Sequence, residues 1–210
     1  MSPSEAVLPA AAGRAAGFTL VGEPLAIDLA NTVKIAATPA KELLPDDAAN
    51  EAFWSIQAPR LPSSVAPGLA ATLSLRSAVR GVLEAVSTRS APKPADLRII
   101  NDTAALTKMT LELDAAGASV ERWWAATPEA ATLAAVARSA IAVAGGPQAN
   151  RLRQCASPTC SQFFVATNPK RQWCTPDLCG NRQRVARFAR AQGVGSASGA
   201  GVESRVGRGA

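Results

Sequence analysis

Apolar residues recur at helical spacing through much of the first 150 positions. From Leu69, the residues Leu73, Val79, Val82, Leu83 and Val86 follow mostly three- and four-residue steps, and Pro67 is placed for a first helical turn. A second helix is predicted from Pro94-Ala95-Asp96, carrying Leu97, Ile100, Leu106, Met109 and Leu113 before Gly117. The third has the clearest start. Thr127 can cap, Pro128 suits the first helical position and Glu129 favours the positive helix end, after which Leu133, Val136, Ala140 and Ile141 form an inward stripe ending at Gly145-Gly146. A further helix is predicted around 46–57 and a short strand over 118–124. Leu25 to Lys34 reads equally as a strand entry or a helix. Of the adjacent Trp123 and Trp124, one is expected in the core and the other at an interface.

Beyond residue 150 the pattern changes. All four cysteines lie there, as Cys155, Cys160, Cys174 and Cys179, two short-spaced pairs separated by a longer loop. Such pairs can present four thiolates to one tetrahedral metal ion, and zinc is the usual occupant. Two disulfides or four ordinary buried thiols are the alternatives, but neither explains why the cysteines cluster while the first 154 residues contain none. Phe163-Phe164-Val165, Thr167-Asn168-Pro169-Lys170 and Gln172-Trp173 read as strand, turn, strand, which would bring the second pair beside the first. One zinc ion per chain is expected. With no histidine in the sequence, imidazole acid–base chemistry and histidine-bound catalytic metal sites are excluded, and coordination by four cysteines leaves zinc no open position for hydrolysis. No GxGxxG, Walker loop, GxSxG or paired-carboxylate arrangement appears either, so an enzyme is not expected.

Composition and charge narrow the picture further. The 210 residues are 48% hydrophobic, enough for one substantial core plus an appendage. No apolar run approaches the roughly 20 residues that span a bilayer, and the Ala-rich N-terminus lacks the features of a secretory signal. A cytoplasmic protein without membrane contact is expected, nucleoid-associated if it binds DNA. Residues 1–150 hold 12 Lys/Arg against 14 Asp/Glu, and residues 151–210 hold 10 against 2, so the overall charge of +6 arises from one end. Positive charge gathered on a small module is the footprint of a nucleic-acid binder. Residues 1–16 and 193–210 have too little bulk to pack and are expected to be flexible. Gly145-Gly146-Pro147 marks the break between a helical domain, 17–146, and a zinc module, 147–192. The two are expected to pack together while keeping separate cores.

Cys179-Gly180-Asn181-Arg182 spells CGNR, and its setting (RLRQC at 151–155, RQWC at 171–174, CGNRQRVARFAR at 179–190) resembles the CGNR zinc-finger proteins. In that family the finger follows an N-terminal domain called ABATE, described as a putative stress-induced transcription regulator. Leu25 to Val33 is similar to the L-D-x-x-N-T motif near the start of that domain, with Ile27 in the leucine position. The resemblance runs from about Phe18 to Gln192, and is looser over the Ala-rich helices and the Pro-containing segment 58–67. It implies a zinc-dependent DNA-binding regulator. The fold expected is mainly α, a helical domain with a few short strands followed by a small treble-clef-like finger of β-hairpin and C-terminal helix.

Site residues follow from the same reading. On a helix beginning near Cys179, Arg182, Arg184, Arg187 and Arg190 fall on one broad arc, with Val185, Phe188 and Ala189 on the other side to dock. Arginine suits phosphate and guanine edges. Arg184, Arg187 and Arg190, with Lys170 and Arg171, are the DNA-contact candidates. Asn181 and Arg182 are expected to support the metal site, orienting or neutralising its ligands. Asp28 and Asn31 are candidates to line a pocket for a small-molecule effector, although Asn31 serves equally as a cap or buried polar anchor. The helical domain would sense such an effector or form a homodimer. A zinc-stapled module binding RNA or an acidic protein is the alternative function, and a thiol redox switch is a third.

Overall fold

The computed structural model describes residues 13, 15–20 and 22–195. The expected flexible ends therefore lie largely outside the described residues, although the last helix continues through Gly195. Among the described residues the architecture is mainly α with three two-stranded antiparallel sheets.

The segment left ambiguous at Leu25–Lys34 forms a short helix α1 (Leu25–Ala30), then turns at Asn31-Thr32 into strand β1 (Val33–Lys34), which pairs with β2 (Lys41–Glu42). Every residue of α1 is buried, so no polar face exists from which periodicity could identify it. Helix α2 (Asp47–Gln57) starts where Asp46 Oδ1 accepts the Ala49 amide at 2.8 Å. Helix α3 (Leu69–Thr88) buries Leu75, Val79, Val82 and Leu83. It meets α4 (Pro94–Ala104) at Gly81, where an added Cβ would displace the Asp96 carboxylate. Helix α5 (Pro128–Gly145) begins as expected, with Thr127 Oγ1 accepting the Ala130 amide. Its buried alanines let it pack against α1, α3 and α4.

The second helix is shorter than its apolar spacing predicts. It ends at Ala104, and Met109 and Leu113 belong instead to strand β3 (Thr107–Leu113), which pairs with β4 (Ser119–Ala125). Met109, Leu111 and Leu113 alternate with Lys108, Thr110 and Glu112, a period of two that also contains the wider helical spacing. The turn decides between them: the Asp114 carboxylate accepts the Ala116 and Ala118 amides, and Gly117 takes φ +76°. At the base of this hairpin Arg138 donates to the Thr107 carbonyl at 2.8 Å and stacks on Trp123. Trp123 packs on the core and Trp124 is exposed.

The C-terminal hairpin also pairs differently from expectation. Phe163–Val165 (β6) pairs with Leu152–Gln154 (β5), while Gln172-Trp173 joins no strand. The turn expected over Thr167–Lys170 forms one residue later, at Asn168–Arg171, with the Arg171 amide on the Asn168 carbonyl. It leads, however, to a segment tied to the first cysteine loop by the Ala156 amide on the Gln172 carbonyl.

The two faces of β6 serve different cores. Phe163 and Val165, with Leu152, enter the same hydrophobic cluster as Leu29, Phe53, Val79 and Val136. Phe164, pointing the other way, joins Cys155, Cys174 and Cys179. The expectation of separate cores is thus overturned, because strand alternation makes one hairpin a wall of both.

Asp28 and Asn31, expected at a ligand pocket, are buried and bonded within the protein. Asp28 Oδ2 meets Arg60 Nη1 at 2.7 Å and Gln57 Nε2 at 3.3 Å. Burial pushes the Asp28 carboxyl up from its ordinary 3.8 to about 6, against the pull of Arg60. With the folded value raised, its contribution to stability is complete below 3.8 and is lost as pH rises through about 6. Carboxyl-carbon NMR should place its titration near pH 6. The stability of the wild type relative to Asp28→Asn should fall across the same interval, and a midpoint near 4 would refute the assignment.

Candidate metal centre

Each cysteine is delivered by a different local device. Cys155 and Cys160 flank the tight link between β5 and β6, closed by the Cys155 amide on the Gln162 carbonyl and the Cys160 amide on the Ser157 carbonyl, both 2.9 Å. Cys174 follows the Asn168–Arg171 turn, and its amide points at Cys155 Sγ from 3.5 Å. Cys179 sits in a single wide helical turn, Pro176–Gly180, directly before helix α6 (Asn181–Gly195). Gly180 explains the glycine of the CGNR signature, since its amide bonds the Thr175 carbonyl at 3.1 Å and an added Cβ would press on the Trp173 ring at 3.2 Å.

The four sulfurs lie within 4.8 Å of one another. Cys160 Sγ is 3.7 Å and Cys179 Sγ 3.6 Å from Cys174 Sγ, and all four are free thiols. A disulfide needs about 2.05 Å. A tetrahedron with Zn–S bonds of about 2.3 Å has edges of about 3.8 Å, which these separations match. Hydrogen bonds from the Cys160 and Cys174 thiols, together with the Cys174 and Ser157 amides, hold Cys155 down to about 2. The same sharing pushes Cys160 up to about 12 and raises Cys174, and burial adds to both. Four such groups cannot all ionise without a cation among them. The cluster is a four-thiolate zinc site for one ion, with every coordination position taken by protein.

Around it, the other predicted residues divide. Arg171 is structural, not free for DNA. Its guanidinium donates to the carbonyls of Cys174 (2.6 Å), Trp173 (3.1 Å) and Val165 (3.2 Å), and stacks over Phe164. Arg182 donates to Thr159 Oγ1 at 3.1 Å, and Gln183 to Ser157 Oγ at 3.2 Å, so the first turn of α6 is fastened to the loop between Cys155 and Cys160. The Asn181 amide closes the preceding turn on the Pro176 and Leu178 carbonyls, and its side chain is exposed. Lys170, Arg184, Arg187 and Arg190 are exposed. The apolar side of α6 does not dock as expected, since Val185 and Phe188 remain 60% and 65% exposed.

The finger is held to the helices by Asn31 and by two residues, Arg80 and Glu23, that carried no sequence signal. Asn31 Nδ2 donates to the Phe163 carbonyl at 2.9 Å while Oδ1 accepts its amide at 2.8 Å, the role of buried anchor already open for it. Arg80 donates to the Ala30 and Ser161 carbonyls and lies over the Phe163 ring. Glu23 Oε2 accepts the Val165 amide at 2.9 Å, and Oε1 faces Arg171. None is close in sequence to what it binds.

Among the described residues no helix is long and apolar enough to cross a membrane. No curated protein matches the chain. Residues 151–192 match the CGNR zinc finger. Residues 23–147 match ABATE, described as a putative stress-induced transcription regulator. Neither is an enzyme family. With the four-thiolate site and the helical domain in the matching order, the chain belongs to the ABATE family and carries a CGNR zinc finger at its C-terminal side.

Proposed function

We propose that the protein is a zinc-dependent, DNA-binding transcription regulator whose finger contacts DNA through α6. The observation that carries this reading is the exposure of Arg184, Arg187 and Arg190 on a helix that leaves the zinc centre, in the chain's strongly basic segment. The first turn is held by Arg182 and Gln183, and the largely exposed stretch from Arg184 to Arg190 is placed to meet a phosphate backbone or groove. Lys170, on the exposed turn before Cys174, adds a further cation. Stress response and regulation rest on the family description. Sensing by the helical domain has support in an apolar cleft of about 260 Å³ between α3, α4 and α5, lined by Val82, Leu97, Ile100, Ala140 and Ile141. This cleft, unlike Asp28 and Asn31, is open to a small apolar effector. Pairing of two copies is the other role proposed for that domain.

Each phosphate contact removed should make the slope of log affinity against log salt shallower by roughly 0.9. Arg184→Ala/Arg187→Ala/Arg190→Ala is therefore expected to flatten the slope by up to about 3 on duplex DNA, with zinc content unchanged. An arginine that reads a base edge would instead relax sequence preference at one position, at about 1–3 kcal/mol. Unaltered affinity and slope in the triple variant would defeat the reading. The exposed Val185 and Phe188 favour a second possibility in that event, a zinc-stapled module whose basic, half-apolar helix binds an acidic protein.

A further inference from the structure

The zinc centre's supporting groups do not stop at the finger. We propose that Glu23, a residue of the helical domain 148 positions before Arg171, is a positioning residue of the zinc centre: through Arg171 it fixes the main chain at Cys174 and so sets how firmly the ion is retained.

Arg171 is the joint. One Nη2 donates both to the carbonyl of the ligand Cys174 at 2.6 Å and to Glu23 Oε1 at 3.2 Å. Nε and Nη1 bind the carbonyls of Trp173 and Val165, and the guanidinium lies 4.4 Å from the centre of the Phe164 ring, which packs in the cysteine cluster. Three carbonyls can orient a guanidinium but carry no charge to balance it. Glu23 supplies that charge from a side chain only 7% exposed, opposite one that is 22% exposed. Removing one partner of a pair this far from water leaves the other charge uncompensated, which costs more than breaking a surface pair.

Glu23 is itself held from behind. Its second carboxylate oxygen accepts the Val165 amide, and its own carbonyl accepts Arg60 Nη2 at 2.7 Å. Arg60 in turn is paired with Asp28 on α1. A continuous line of polar contacts thus runs from the helical core to the peptide carrying a metal ligand. Without Glu23 the guanidinium is free to turn toward solvent, and the Trp173–Cys174 peptide loses the donor that pins it. Partners of this kind, which hold a ligand without touching the metal, typically change metal affinity 10- to 100-fold when removed. The inference rests on the zinc site and is independent of DNA binding.

Zinc release from the full chain into a chromophoric chelator tests it. Glu23→Ala is expected to accelerate release by about tenfold or more. Glu23→Gln should fall between, because an amide oxygen can still accept the Val165 amide but carries no charge for Arg171. Adding Glu23→Ala to Arg171→Ala should accelerate release no further, the two acting through one route. Leu83→Ala, a truncation of a fully buried core side chain that has no polar contact with this line of residues, controls for lost stability. In the cobalt-loaded protein, the d–d bands should shift with Glu23→Ala and not with Leu83→Ala. Wild-type release rates in both Glu23 variants would overturn the proposal. So would a Leu83→Ala protein that releases zinc as fast as Glu23→Ala and shows the same cobalt spectrum, which would mean that retention merely follows overall stability.

Discussion

Cys174→Ser is expected to lower the thermal midpoint of the entire chain in one cooperative transition. A structural four-thiolate site contributes about 10–16 kcal/mol of apparent binding energy in isolated finger peptides at neutral pH, comparable to the whole stability of an ordinary domain, about 5–15 kcal/mol. Serine cannot replace the thiolate, and the ion is expected to be lost. Separate cores would confine the damage to the finger, but Leu152, Phe163 and Val165 are built into the helical cluster. Releasing the hairpin would expose them, at roughly 1.5–3 kcal/mol for each side chain. Far-UV circular dichroism should show the helical signal melting earlier, and chelation of zinc from the wild type should reproduce the shift. A helical transition unmoved from the wild-type temperature would show that the helices stand without the hairpin.

Asn31→Leu is expected to destabilise the chain by about 2–6 kcal/mol while leaving the cysteine cluster chemically intact. Leucine keeps the branched skeleton but is bulkier, so no cavity forms and any overpacking adds to the loss. What it removes is a pair of hydrogen bonds, 2.9 and 2.8 Å, to the amide and carbonyl of Phe163. Each buried backbone group left without a partner costs about 1–3 kcal/mol. Phe163 sits on β6 between Gln162 and Phe164, so Asn31 pins the strand at the point where its two faces divide. Urea denaturation should report the loss, with zinc still present at full occupancy in the absence of denaturant. A change under about 0.5 kcal/mol would show that water or another group replaces the asparagine.

Local chemistry made much of the fold legible. The Thr127-Pro128-Glu129 start and the long stripe from Leu69 each specify a helix within their own few residues, and both helices are there, as is the one expected around 46–57. Four cysteines in two close pairs, with no histidine to compete, identified the metal centre by residue type and spacing alone. The misreadings have a common origin in short apolar runs. Leu106, Met109 and Leu113 fit a helix as well as a strand until the Asp114–Gly117 turn is weighed. Phe163–Val165 offered no way to choose between a partner before it and one after it.

The capped helices, the zinc site, the basic end and the family were legible from the residues alone, because capping, periodicity and ligand spacing act over neighbouring positions. Which polar groups are spent and which are free depends on the fold. Arg171 and Arg184 are the same side chain in the same basic segment, yet one is consumed by three carbonyls and Glu23 while the other is exposed. Asn31 and Glu23 find their partners 132 and 142 positions away, at Phe163 and Val165. A hydrogen bond depends on distance in space and not along the chain, so no local pattern records it; the fold must first bring β6 against α1 before those residues acquire their roles.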